Sequence, residues 1–197
     1  WFDHRMDRAD ISPAESDAMF YGRAIALQNK GEYDEARKLL QNLLDRDRHI
    51  AYELQLADLD LDSGHAAAAI DRLAGLYHAF PGNHAISLQY AQALLQGQDA
   101  EQAQTAAVVL LQQLLTRPQD PTLYELYARS ANVAGDRVRA KEAIAETYYL
   151  RGGVHEAAMQ LQELAASEDL DYYERARITA RINELRLELA KMGKETP

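Results

Sequence analysis

Gly31-Glu32-Tyr33-Asp34-Glu35-Ala36 is the stretch on which the fold turns. A glycine is followed two residues on by an aromatic and three residues later by a small side chain, and the arrangement recurs. Gly64 leads to Ala69 at the same spacing, and Gly97, Gly135 and Gly152 open later copies. Gly31 to Gly64 and Gly64 to Gly97 are both steps of 33 residues, close to the period of about 34 of a two-helix repeat. A helical hairpin cannot bury its apolar stripe alone, so it stacks on a copy of itself. The expected architecture is all-α, a right-handed superhelical solenoid of about ten antiparallel helices.

Composition narrows the function classes. The 197 residues are 47% hydrophobic and 26% charged with only five prolines, which suits a helical globular chain. A formal charge of -10 argues against nucleic acid or an anionic membrane as main partner, because both need clustered Lys and Arg. The absence of cysteine excludes a disulfide scaffold and a thiol nucleophile but does not choose a compartment. No apolar run approaches the roughly 20 residues that span a bilayer. A start at Trp1 rather than Met suggests a fragment with something upstream.

Along the chain, residues 1–11 read as a linker from an upstream domain, residues 12–170 as the repeats and residues 171–197 as a C-terminal capping helix and tail. Ser12-Pro13-Ala14-Glu15 carries a capping signal, with Ser at the cap, Pro at the first helical position and Glu three residues on. The first helix should run to about Asn29 and the second to about Leu44. The spacing around Gly97 leaves four extra residues before Pro118, to be absorbed by an extended turn over 98–102 or by one more helical turn. Gly152 comes 17 residues after Gly135, half a repeat, so the helix from about Val138 to Arg151 should close one pair and open the next. Small residues at Ala36, Ala57 and Ala69 let helix axes approach to about 8–10 Å. The last helix should carry Tyr172, Ile178, Ile182, Leu185 and Leu189 on one face and a solubilising face of Arg and Glu on the other.

The helix pairs, with Gly-x-Tyr at the turn, Ala in the second helix and Pro after it, match the tetratricopeptide (TPR) pattern. Three segments carry a closer resemblance: Phe20-Tyr21-Gly22-Arg23-Ala24-Ile25-Ala26-Leu27, Glu146-Thr147-Tyr148-Tyr149-Leu150-Arg151-Gly152 and Asp171-Tyr172-Tyr173-Glu174-Arg175-Ala176-Arg177-Ile178. Over about residues 8–190 the chain resembles the C-terminal TPR domain of the BepA-type periplasmic zinc metalloproteases, the β-barrel assembly-enhancing proteases. The resemblance implies a periplasmic parent with a zinc-bearing His-Glu-x-x-His helix in an upstream catalytic domain. It also implies docking onto the outer-membrane assembly machinery and its substrates, and onto the protease domain in cis. A free-standing TPR adaptor of envelope or pilus assembly is the alternative.

Within the chain itself no cofactor and no catalytic residue is expected. His155-Glu156-Ala157-Ala158-Met159 misses the zinc motif, because Met stands where the second imidazole belongs. Asp58-Leu59-Asp60-Leu61-Asp62 begins like a calcium loop but has Ser63 where Gly is required and Ala69 where Glu should chelate. What remains is a protein-binding groove. By register, the first helices of the pairs place Tyr21, Ile25, Gln28, Leu54, Asp58, Glu125, Arg129 and Asn132 on it, a mixed wall suited to a peptide. The same positions can also be solvated, or can touch the neighbouring helix.

Overall fold

A computed structural model describes residues 12–195, so the proposed linker over 1–11 and the last two residues lie outside the described residues. Ten helices follow one another: α1 (Pro13–Asn29), α2 (Tyr33–Arg46), α3 (Ile50–Asp62), α4 (Ala66–Ala79), α5 (His84–Leu94), α6 (Ala100–Thr116), α7 (Pro121–Val133), α8 (Arg137–Leu150), α9 (Val154–Ala165) and α10 (Tyr172–Glu195). No strand occurs among the described residues. The fold is the expected TPR-like α-solenoid. It divides into two compact units, one through Ala93 and one from Leu94 onward.

The capping signal at Ser12 forms as read. Glu15 donates its backbone N–H to Ser12 Oγ at 3.3 Å, and Ser12 donates its own N–H to Glu15 Oε2 at 3.0 Å. The turns explain the glycine period. At the end of α1, Gly31 (φ 80°) donates to the Gln28 carbonyl and Glu32 to the Leu27 carbonyl, both at 2.9 Å. That is the Schellman arrangement, whose left-handed residue is nearly free of strain only as glycine. Gly64, Gly135 and Gly152 repeat it, with the following residue reaching back to Asp60, Ala131 and Tyr148. Gly97 does not: there the left-handed residue is Gln98 (φ 52°). The extra residues go into α6, 17 residues long against 14 in α2 and α4.

In the first unit Ala24, Leu27, Ala36, Leu40, Leu43, Leu56 and Leu59 form one buried cluster. Ala36 and Ala69 are fully buried, so Ala36→Leu or Ala69→Leu should cost about 1–3 kcal/mol by overpacking. Thermal melts that stay unchanged for both variants would refute that packing. Across α2, α3 and α4 runs an ionic chain. Asp60 on α3, only 2% exposed, meets Arg37 Nη1 at 2.5 Å, and Arg72 Nη1 meets Glu53 Oε2 at 2.7 Å. Arg72 Nε stands 3.5 Å from Asp60 Oδ2 without hydrogen-bond alignment, so that contact is electrostatic only.

In the second unit α8 packs on both α7 and α9, as the half-repeat required, and α10 packs on α9. Val154, Ala157, Ala158, Leu161 and Leu164 of α9 share a core with Ile178, Ile182 and Leu185 of α10. Leu189 packs at its edge, whereas Tyr172, expected on the same face, stands at the first residue of α10 and is exposed, touching the Tyr173 ring instead of the core.

Candidate polypeptide-binding surface

The groove positions named from the sequence come together within each unit, but many of their polar groups are already engaged. In the first unit Tyr21 Oη donates to Gln55 Oε1 at 3.2 Å, Gln55 Nε2 to Gln28 Oε1 at 2.8 Å, and Gln28 Nε2 to Asp62 Oδ2 at 2.7 Å. From α5, Gln89 Nε2 donates to the Leu54 carbonyl at 2.9 Å and also to Asp58 Oδ1. Two of these bonds join residues 34 apart, one repeat length, which makes them rungs between successive first helices. Gln28 is buried, and Ile25 and Leu54 are half-buried. In the second unit Glu125 pairs with Arg151 Nη2 at 2.5 Å and Arg129 donates to the Leu95 carbonyl at 3.1 Å. Asn132 is exposed on α7.

Asp58 has a consequence for stability. Burial pushes its carboxyl above the ordinary value of 3.8, the Gln89 bond opposes this, and the Asp62 charge adds to it. A carboxyl raised on folding stabilises most below its unfolded pKa, and that contribution is lost as pH rises through the folded value. Asp58→Asn keeps the acceptor for Gln89 and removes the buried charge. Its urea midpoint should exceed the parent's at pH 7, and the difference should shrink as pH falls towards 4, as equilibrium unfolding can show.

A more enclosed concavity with apolar walls lies elsewhere, and sequence reasoning missed it. It is a cavity of about 400 Å³ in the second unit. Leu111, Leu114 and Leu115 of α6 form one wall, Tyr124 and Tyr127 of α7 another, and Leu161 and Ile178 close the bottom. Five charged side chains complete it, Arg139 and four that form two forks. Arg177 donates Nε and Nη2 to the two oxygens of Glu142 at 2.7 and 2.9 Å. Arg181 does the same to Glu146 at 2.6 and 2.8 Å, while its guanidinium lies 4.5 Å from the Tyr149 ring centre. Hydrogen bonds to the paired carboxylates raise the pKa of both guanidiniums, so both arginines stay charged across the working pH range. Burial raises Tyr124 and Tyr127 as well, which keeps both phenols neutral.

The arginine face of α10 is therefore only partly the solvated cap face expected from its polarity. Its signal was in the sequence: Arg177 and Arg181 each stand 35 residues after a glutamate on α8, within one residue of the step of 34 that joins the first-unit rungs. The cavity joins apolar walls to a few fixed polar groups, which suits an apolar side chain held within a polar frame.

Nothing in the surface assembles a metal centre. Among the described residues no three His, Asp or Glu side chains converge as ligands. Ala157, inside the near-miss zinc motif, is a core residue of α9. No helix among the described residues is long and apolar enough to cross a membrane.

No protein-family model matches the chain. Among curated proteins, the beta-barrel assembly-enhancing protease of Escherichia coli K12 is 35% identical over 167 residues, and that of Yersinia pestis is 34% identical over 168. Each match takes in 84% of this chain but 34% of the relative, so the chain spans about a third of the length of these relatives. Among solved structures, the MamA RS-1 ArsTM double mutant superposes with TM-score 0.60 at 14% identity, over 92% of this chain and 97% of its own. A thermophilic TPR protein of Thermus thermophilus gives 0.51 at 17% identity, over 84% and 98%. At such identities these two speak for fold alone. The chain is thus a tetratricopeptide-type α-solenoid related over 84% of its length to part of the beta-barrel assembly-enhancing proteases.

Proposed function

We propose that this chain is the docking module of a periplasmic zinc metalloprotease that serves assembly and quality control of outer-membrane β-barrel proteins. The chain holds partner polypeptides, both the assembly machinery and its substrates, while bond cleavage belongs to a catalytic domain elsewhere in the parent. The observation that carries this reading is the 35% identity to a protease whose name states barrel assembly, over a segment that folds as a protein-binding solenoid. Zinc, on this reading, is held by the catalytic domain.

The experiment is twofold. The reading frame that encodes this chain should also encode a His-Glu-x-x-His helix, and benzoylphenylalanine placed at Gln55 of the full parent in cells should crosslink outer-membrane assembly proteins. A frame with no such helix would overturn the protease part. A second reading is a free-standing TPR adaptor in envelope or pilus assembly with no protease attached. The same frame decides between the two.

A further inference from the structure

The docking reading leaves open what the 400 Å³ cavity of the second unit takes, and α6 supplies the clue. Val108, Leu111 and Leu115 stand at i, i+3 and i+7, on one face of a straight helix, and are 54%, 45% and 83% exposed. Leu111 and Leu115 belong to the cavity wall, whereas Val108 does not line it. The apolar surface thus continues past the cavity for about one turn, roughly 4.5 Å along the helix axis, and the three side chains together span about 10 Å. An exposed apolar stripe of this kind is unusual on a soluble surface without a partner, and its two-turn spacing is that of a helix that packs against another helix.

Charge supplies the second clue. Of the arginines around the cavity, Arg177 and Arg181 are each saturated by a two-bond fork from a glutamate. Arg139 is not. Its nearest carboxylate oxygen, Glu142 Oε2, is 3.7 Å away, beyond hydrogen-bond range. Among the lining residues three guanidiniums thus stand against two carboxylates, and Glu184, outside the lining, adds its bond to Arg181 rather than to Arg139, within a chain whose formal charge is -10. A second copy would bring another -10 to the contact, which opposes self-association through this face.

We propose that the cavity and the α6 stripe together receive a short amphipathic helix of another polypeptide, which lays apolar side chains on Val108, Leu111 and Leu115 and sets one carboxylate on Arg139. The inference rests on the protein-docking reading and names the chemistry of the partner. It is helix-in-groove recognition, in which apolar anchors supply affinity and the ion pair fixes register. Leu115 and Arg139 are both exposed enough to be replaced without disturbing the core.

The test is fluorescence anisotropy of the full chain against a fluorescein-labelled, capped helical peptide with leucines at i, i+3 and i+7 and a single glutamate beside them. Saturable binding is expected. Leu115→Ser should weaken it about tenfold, and Arg139→Gln about threefold to fivefold. The Arg139 effect should vanish when the peptide glutamate is replaced by glutamine. Binding no better than that of a scrambled peptide, or loss from Arg139→Gln that is the same for both peptides, overturns the proposal. So does a dimer of the chain that Leu115→Ser dissolves, since the stripe would then be a self-contact. If the peptide fails while benzoylphenylalanine at Gln55 still captures assembly proteins, the docking function stands and this site does not.

Discussion

Arg37→Met is expected to lower stability by about 3 kcal/mol or more, because it leaves the Asp60 carboxylate buried and without its closest partner. In a domain of this size that is a fall in melting temperature of roughly 6–12 °C. Arg72 remains, but at 3.5 Å and misaligned it replaces little of the lost pairing. The comparison that isolates the mechanism is the double variant Arg37→Met with Asp60→Leu. A buried ion pair replaced as a unit by apolar side chains is often neutral or stabilising, whereas one broken on one side is costly. The double variant should therefore recover most of the loss in urea unfolding. If it is no more stable than Arg37→Met alone, packing around α2 and α4 is the cause and the ionic account fails.

Ile178→Ala should cost about 2–4 kcal/mol, since the side chain is fully buried between α9 and α10 and its removal leaves a hole under the cavity. Leu115→Ala, on the opposite rim of the same cavity, should change the urea midpoint within error, because its side chain is largely in water. The contrast separates the two parts of the second unit: its floor maintains the fold, and its exposed wall is free to serve a partner. Equal losses for the two variants would show that Leu115 is buried in solution, against the exposed stripe on which the helix-docking proposal depends.

The repeat, its handful of turns and the order of helices were legible from residues alone, because they follow from local chemistry. A left-handed glycine ends α1, α3, α7 and α8, Ser12 and Pro13 start α1, and a 33-residue step leaves each apolar stripe in need of a neighbour. Gly97 shows the limit of that logic: its position in the period is right, yet Gln98 takes the left-handed conformation. Helix α6 absorbs the extra residues there.

Which polar groups face a partner was decided by tertiary structure. Tyr21 and Gln28 lie on α1 and Leu54 and Asp58 on α3, but a register cannot tell that the helix one repeat away offers Gln55, Asp62 and Gln89 at hydrogen-bond distance. The same holds for α10, whose arginines read as a solvated face until Glu142 and Glu146 on α8 are brought beside them. Periodicity is a property of one helix at a time and survives in the sequence. Pairing between side chains a whole repeat apart depends on how the stacked helices meet, and only the folded chain specifies which of those side chains are satisfied and which remain for another molecule.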